Sequence, residues 1–190
     1  MQSNLEIGFA LDRRFHWMRG EMEESKKASL LLLGRVLAEA GTRYAIIGGV
    51  ALQVHQREPR TTLDVDLAVA SLAALPRARL QAAGFSLNGS FAHSENWQGP
   101  DRTPVQFTDD AALGPAVERA AEIELDGVLL RVIGKADLLR EKLRAGRDPA
   151  RRRSKRLQDL ADAEALLEQE PALAAGLSAD ERAALDALPR

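Results

Sequence analysis

The chain has 190 residues, 45% of them hydrophobic, with 28 acidic against 26 basic side chains and a formal net charge of -2. This length suits one domain, or one domain with a small helical appendage, around a proper core. The near balance of charge excludes a global pull toward nucleic acid, and the absence of cysteine excludes disulfides and thiolate metal sites.

In chain order, MQSNLEIGFALDRRFH carries an acid early and has no long apolar core, so it does not read as a secretory signal. Leu11, Phe15 and Met18 fit one face of a helix. Ser25 to Ala40 is a stronger helix, with Leu30, Leu31, Leu33, Val36 and Leu37 as its apolar stripe and Gly41 placed to end it. Its longest apolar run, Leu30 to Leu33, is far too short to span a bilayer, and a soluble cytoplasmic protein is expected. Residues 1–40 thus read as a helical segment packed on the domain.

Tyr44 to Ile47 reads as a short strand, Gly48-Gly49 as a turn, and Val50 to Gln56 as the first turns of a helix, whose exposed N–H groups attract anions. The run Leu63, Val65, Leu67, Val69 is interrupted by Asp64 and Asp66. On a strand these two carboxylates share a face. Such a pair is costly unless protons, cationic groups or a divalent metal compensate, and Mg²⁺ takes one or two carboxylates together with substrate phosphates. Strand, glycine turn, helix and Asp-x-Asp strand together propose a nucleoside triphosphate held by backbone amides, with metal held by carboxylates.

Beyond Ala70, Ser71 to Ala83 reads as a helix despite Pro76, which suits a first turn better than an interior, with Gly84 at its end. Phe85 to Phe91, Ala92 to Trp97 and Thr103 to Phe107 read as short strands punctuated by Asn88-Gly89 and Gly99-Pro100. Ile123 to Leu125 and Val128 to Val132 flank a hairpin signal at Asp126-Gly127. From Lys135 the pattern is helical: Ala136 to Ala145, then Ala150 to Gln169 closed by Pro171, then a short helix opened by the capping box Ser178-Ala179-Asp180-Glu181. The expected division is a core over 41–134 and a helical part over 135–190.

Gly48-Gly49-x-Ala51 followed by Arg60-x-Thr62-x-Asp64-x-Asp66-Leu67 resembles the nucleotidyltransferase superfamily, and most closely the AbiEii-type branch of nucleotidyltransferase-like toxins. The resemblance covers roughly residues 40 to 168, because Lys142 and the stretch from Arg151 to Leu160 look like that family's later lysine and Lys/Asp helix. It implies an α/β (α+β) nucleotidyltransferase-type fold, with a small mixed β-sheet flanked by helices and a helical C-terminal part. It also implies metal-dependent transfer of a nucleoside monophosphate from a nucleoside triphosphate to an acceptor hydroxyl. Asp64 and Asp66 would bind Mg²⁺ or Mn²⁺, Gly48 and Gly49 would cradle phosphates, and Lys142 and Lys155 would offset charge, with Asp159 orienting Lys155. Arg60 would contact phosphate or brace Asp64, and Thr62 reads as a hydrogen-bonding residue beside them. Relatives of this type often act as toxins in toxin–antitoxin pairs and some modify tRNA ends, which implies an RNA or tRNA acceptor and an antitoxin partner.

The family's third carboxylate comes from a strand beside the Asp-x-Asp strand, and Pro104 to Thr108 offers Gln106 at that place. Glutamine lends a neutral oxygen to a metal but neither neutralises charge nor takes a proton as a carboxylate does. Three accounts follow: a shifted register that brings Asp109 or Asp110 to the site, a tolerated Gln106, or a catalytically inactive fold that binds nucleotide or a partner. Modification of a small molecule such as an antibiotic shares the chemistry with another acceptor. Against these stand plainer readings: Lys155 and Asp159 as an i, i+4 surface ion pair, the arginines from Arg144 to Arg156 as a solvated face, and Trp97 as core.

Overall fold

Seven short strands form one mixed sheet in the computed structural model, which describes residues 4–18, 25–58 and 61–186, the side chains of His16 and Trp17 aside. They are β1 (Tyr44–Ile47), β2 (Val65–Val69), β3 (Ser86–Ser90), β4 (Ser94–Gln98), β5 (Pro104–Thr108), β6 (Ala121–Leu125) and β7 (Val128–Val132), in the order β3-β4-β5-β2-β1-β7-β6. At the centre, β2 runs antiparallel to β1 and parallel to β5, and β7 runs parallel to β1. Alternation decides which face is core. Val65, Leu67, Val69, Trp97, Val105 and Phe107 are buried, whereas the residues between them on β4 and β5, Asn96 and Gln106, are half-buried and exposed. Trp97 is therefore a core residue, and its indole N–H donates to the buried Glu95 carboxylate at 3.0 Å.

The chain divides into two compact units, one formed by the residues up to Val54 with Glu58–Ile133, the other by His55–Arg57 with the chain from Gly134 onward. The first unit holds the sheet together with α1 (Asn4–Met18), α2 (Lys27–Glu39), most of α3 (Gly48–His55), α4 (Arg77–Ala82) and α5 (Gly114–Glu118). Helix α2 ends as its glycine predicts: Gly41 takes φ +64°, and the N–H groups of Gly41 and Thr42 return to the carbonyls of Ala38 and Leu37. It lies close on β7 at Gly34, where a Cβ would collide with Leu130. The face of α1 differs from the expectation. Leu5, Phe9 and Asp12 are buried, while Leu11 and Met18 are exposed, because α1 packs at Gly8 against Gln53 of α3.

Two further expectations are corrected. Ser71 to Ala83 is not one helix but a 3₁₀ turn at Leu72–Ala74 followed by α4. Pro76 forces the preceding Leu75 into an extended conformation, ψ 135°, and so breaks the run. Asn88-Gly89 is not a hairpin turn. It lies inside β3 as an irregularity in the pairing with β4, and the chain reverses at Phe91–His93, closed by Phe91 N–H to the Ser94 carbonyl at 2.8 Å. The adopted register places Leu87 opposite Trp97 and keeps β3 and β4 at five residues each. Asp126-Gly127 does turn β6 into β7, with positive φ at both residues.

The second unit is helical: α6 (Lys135–Arg147), α7 (Arg153–Gln169), a 3₁₀ segment over Pro171–Gly176 and α8 (Ala179–Asp186). Helices α6 and α7 approach closely at Gly146, where a Cβ would meet Leu160. The capping box closes reciprocally, Glu181 N–H to Ser178 Oγ at 3.2 Å and Ser178 N–H to Glu181 Oε2 at 2.7 Å. Among the described residues, no helix is long and apolar enough to cross a membrane.

Candidate active site

Strand β1 passes directly into α3 at Gly48, whose φ of +61° lies in the left-handed region that favours glycine. A Cβ at Gly48 would collide with Asp66 Oδ2, and one at Gly49 would collide with the Thr62 side chain. The glycines therefore do more than turn the chain. They let Asp66 on β2, and Thr62 in the segment leading to β2, lie against the start of α3. Thr62 in turn donates its hydroxyl to Asp64 Oδ1 at 2.7 Å, so both carboxylates are held around the glycine turn. Asp64 is exposed and Asp66 half-buried. Arg60 lies outside the described residues.

Behind Thr62 stands a buried cluster that reading the sequence misses. Asp12 of α1 accepts the Thr62 N–H at 3.0 Å, and Lys26, just before α2, donates to the Thr62 carbonyl at 2.7 Å. Lys26 is also ion-paired with Asp12, and both side chains are almost wholly buried. Burial pushes the Lys26 ammonium below the usual lysine range, opposed by the attraction of Asp12 and, more weakly, of Asp64. The signal in the sequence is Asp12 itself, a carboxylate at the helical spacing of the buried Leu5 and Phe9.

Across the sheet, Asp66 is paired with Gln106 of β5, and Gln106 with Asn96 of β4. Paired residues project to the same face, so a carboxylate and two amides form a row. The register is not shifted toward an acid. Asp109 accepts from Leu72 N–H and faces His93, and Asp110 caps Ala112 N–H at 3.0 Å. No group of three or more His, Cys, Asp and Glu side chains able to hold a metal occurs among the described residues. The donor set is two carboxylates with a neutral amide beside them. That set suits Mg²⁺ where phosphates and water complete its shell, and is too small for a cage made by the protein alone.

In the second unit Lys142 does not stand free for phosphate. Its ammonium is buried and paired with Asp159 at 2.8 Å and Asp162 at 2.9 Å, and Arg151 takes the other oxygen of Asp159 at 2.8 Å. Asp159 is therefore engaged by Lys142 and Arg151 rather than orienting Lys155, which is exposed at the start of α7. Burial pushes the neighbouring Glu141 carboxyl above the usual range, against the pull of Lys142 and Arg144.

No family model matches the chain, and no curated protein matches it by sequence. Solved structures do. An antigenic nucleotidyltransferase-like protein from Paracoccidioides brasiliensis superposes with a TM-score of 0.57 at 22% identity, over 84% of this chain and 85% of that one. The lincosamide antibiotic adenylyltransferase LnuA, with lincomycin bound, gives a TM-score of 0.51 at 10% identity, covering 74% of this chain and 97% of that one. ANT(2")-Ia in complex with adenylyl-2"-tobramycin gives 0.50 at 17% identity, over 82% and 95%. The fold is thus that of nucleotidyltransferase-like proteins, a mixed α/β architecture on a seven-stranded sheet.

Proposed function

We propose that the chain transfers a nucleoside monophosphate from a nucleoside triphosphate to an acceptor hydroxyl, with Asp64 and Asp66 holding Mg²⁺ or Mn²⁺. The observation that carries this reading is the fit of Asp66 against Gly48, which sets an acidic strand against a helix start that only glycine allows. Names borne by proteins of the same fold add support for the reaction class. The acceptor oxygen would attack the α-phosphorus as the bond to the β-phosphate's bridging oxygen breaks. Pyrophosphate leaves with that electron pair, and the hydroxyl proton passes to water or to a group of the acceptor. The bound ion would supply charge neutralisation at the attacking and leaving oxygens. Gly48 and Gly49 would present the first amides of α3 to phosphate. Gln106 stays neutral and so takes no proton.

RNA is the acceptor proposed first, as in AbiEii-type toxins with an antitoxin partner, and exposed Arg152, Arg153 and Lys155 are the cations that would meet its phosphates. A small-molecule acceptor is the second reading, supported by the two antibiotic adenylyltransferases among the fold relatives. The test supplies each α-labelled triphosphate with Mg²⁺ or Mn²⁺ to total RNA and to a panel of small hydroxyl acceptors. Label in RNA supports the first acceptor and label in a small molecule the second. No label, in protein that binds nucleotide, selects the inactive binding fold.

Gln106→Asp separates the last case further. Its side chain stands beside Asp66, so a third carboxylate there is expected to tighten Mn²⁺ binding about tenfold. Transfer that appears only in this variant would identify a fold whose chemistry was lost at position 106. An unchanged Mn²⁺ titration would remove Gln106 from the metal's surroundings.

A further inference from the structure

We infer that Asp12 and Lys26 are positioning residues for Asp64, acting through the backbone and hydroxyl of Thr62, so that the N-terminal helix α1 is a working part of the metal site. This rests on the proposed metal-binding role of Asp64 and Asp66. Each link is a contact. Asp12 Oδ1 fixes the Thr62 N–H at 3.0 Å, Lys26 Nζ fixes the Thr62 carbonyl at 2.7 Å, and the Thr62 hydroxyl fixes Asp64 Oδ1 at 2.7 Å. Thr62 has one further constraint, its side chain lying against Gly49. Two backbone groups and one side-chain group of a single residue are thus specified, and through its hydroxyl that residue holds one oxygen of the exposed Asp64 carboxylate.

The clamp is costly in a way that core packing alone does not require. A lysine and an aspartate, 4% and 1% exposed, the lysine's ammonium lying over the Phe9 ring, hold a loop segment rather than one another alone. Burying such a pair is commonly no better for stability than apolar side chains of similar size. Its gain lies in direction: a charge-assisted bond at each end of Thr62 fixes a geometry that van der Waals contacts leave loose. Outer hydrogen-bond partners of metal-binding groups typically contribute 10–100-fold to metal affinity.

The measurement is Mn²⁺ affinity of the full chain by electron paramagnetic resonance, with circular dichroism to verify the fold. Thr62→Val, which keeps shape and loses the hydroxyl, is expected to weaken Mn²⁺ binding about tenfold, whereas Thr62→Ser stays near wild type. Asp12→Leu/Lys26→Met, which removes both charges together, is expected to show a similar loss while remaining folded, whereas Lys26→Met alone leaves Asp12 buried without its ion-pair partner and is expected to lose stability as well. Combining Lys26→Met with Thr62→Val should add little, because both act through one link. Additive losses, or folded Lys26→Met with wild-type affinity, overturn the inference. Should Lys26→Met not fold, Asp12→Leu/Lys26→Met alone and combined with Thr62→Val decides it in the same way, wild-type affinity or additive losses again overturning the inference. Wild-type protein that binds no Mn²⁺ overturns the metal-site reading itself, and the inference with it, a result distinct from intact binding in every variant.

Discussion

Lys142→Met is expected to cost the protein about 3–5 kcal/mol, the loss typical of breaking a buried ion pair from one side. The ammonium is buried between α6 and α7 and faces Asp159 and Asp162, themselves buried. Methionine fills much the same volume but leaves two buried carboxylates without the ammonium they share, with Arg151 still on one oxygen of Asp159. The Glu141 carboxyl, already pushed up by burial, loses the strongest of the charges that pull it down. Urea unfolding followed by circular dichroism checks the loss. The companion Lys142→Met/Asp159→Asn/Asp162→Asn is expected to recover most of it, since a removed cluster is far less harmful than a half-removed one. Unchanged stability in Lys142→Met, together with weakened nucleotide binding, would return Lys142 to the phosphate-binding role that the family resemblance implies.

The same lysine shows where a sequence stops being readable. Local chemistry is legible: Gly41 and Gly84 end their helices, Asp126-Gly127 turns a hairpin, and Ser178 and Glu181 cap α8, because each outcome depends on residues within one turn of chain. Gln106 is legible as the candidate beside Asp66 from the strand pattern of 104–108, and the adopted register selects it over Asp109 and Asp110. Partners chosen by packing are not. Lys155 and Asp159 satisfy the helical i, i+4 rule, yet Asp159 takes Lys142 and Arg151 because α6 and the bend before α7 deliver them at shorter range. Asn88-Gly89 carries a strong turn signal, and the pairing of β3 with the Trp97 strand overrides it.

The candidate site divides in the same way. Gly48, Gly49, Asp64 and Asp66 stand out in the sequence as a glycine turn and an Asp-x-Asp run close together along the chain, and the fit of Asp66 against Gly48 joins those two pieces in space. Asp12 and Lys26 belong to other helices, and only the fold brings them to Thr62. Asp12 is visible in hindsight as an acid among core positions. A sequence alone would equally allow a helix rotated to place Leu11, Phe15 and Met18 inward, and it is the close fit of Gly8 on Gln53 that selects the other face.

Asp66→Ala is expected to abolish nucleotidyl transfer, by about 10³-fold or more, and to remove most Mn²⁺ binding, while changing stability by less than about 1 kcal/mol. Asp66 is half-buried on β2, with Oδ2 against Gly48 and Gln106 as its neighbour on β5. Alanine retains the Cβ and the strand's backbone pairing, so the sheet loses little. It also removes the cost of keeping a half-buried negative charge, which offsets part of whatever contacts the carboxylate made. For the reaction the balance is opposite. A single remaining carboxylate at Asp64, held by the Thr62 hydroxyl, neither attracts a divalent ion as strongly nor fixes it between two oxygens. Gln106 cannot substitute, because an amide oxygen carries no charge. The decisive comparison is Asp66→Ala against Gly48→Ala. The first should bind no metal in an intact fold. The second should lose both metal and stability, because its added Cβ meets Asp66 and its φ is strained. Full transfer in Asp66→Ala would take that carboxylate out of the mechanism and leave Gly48 as a purely structural turn.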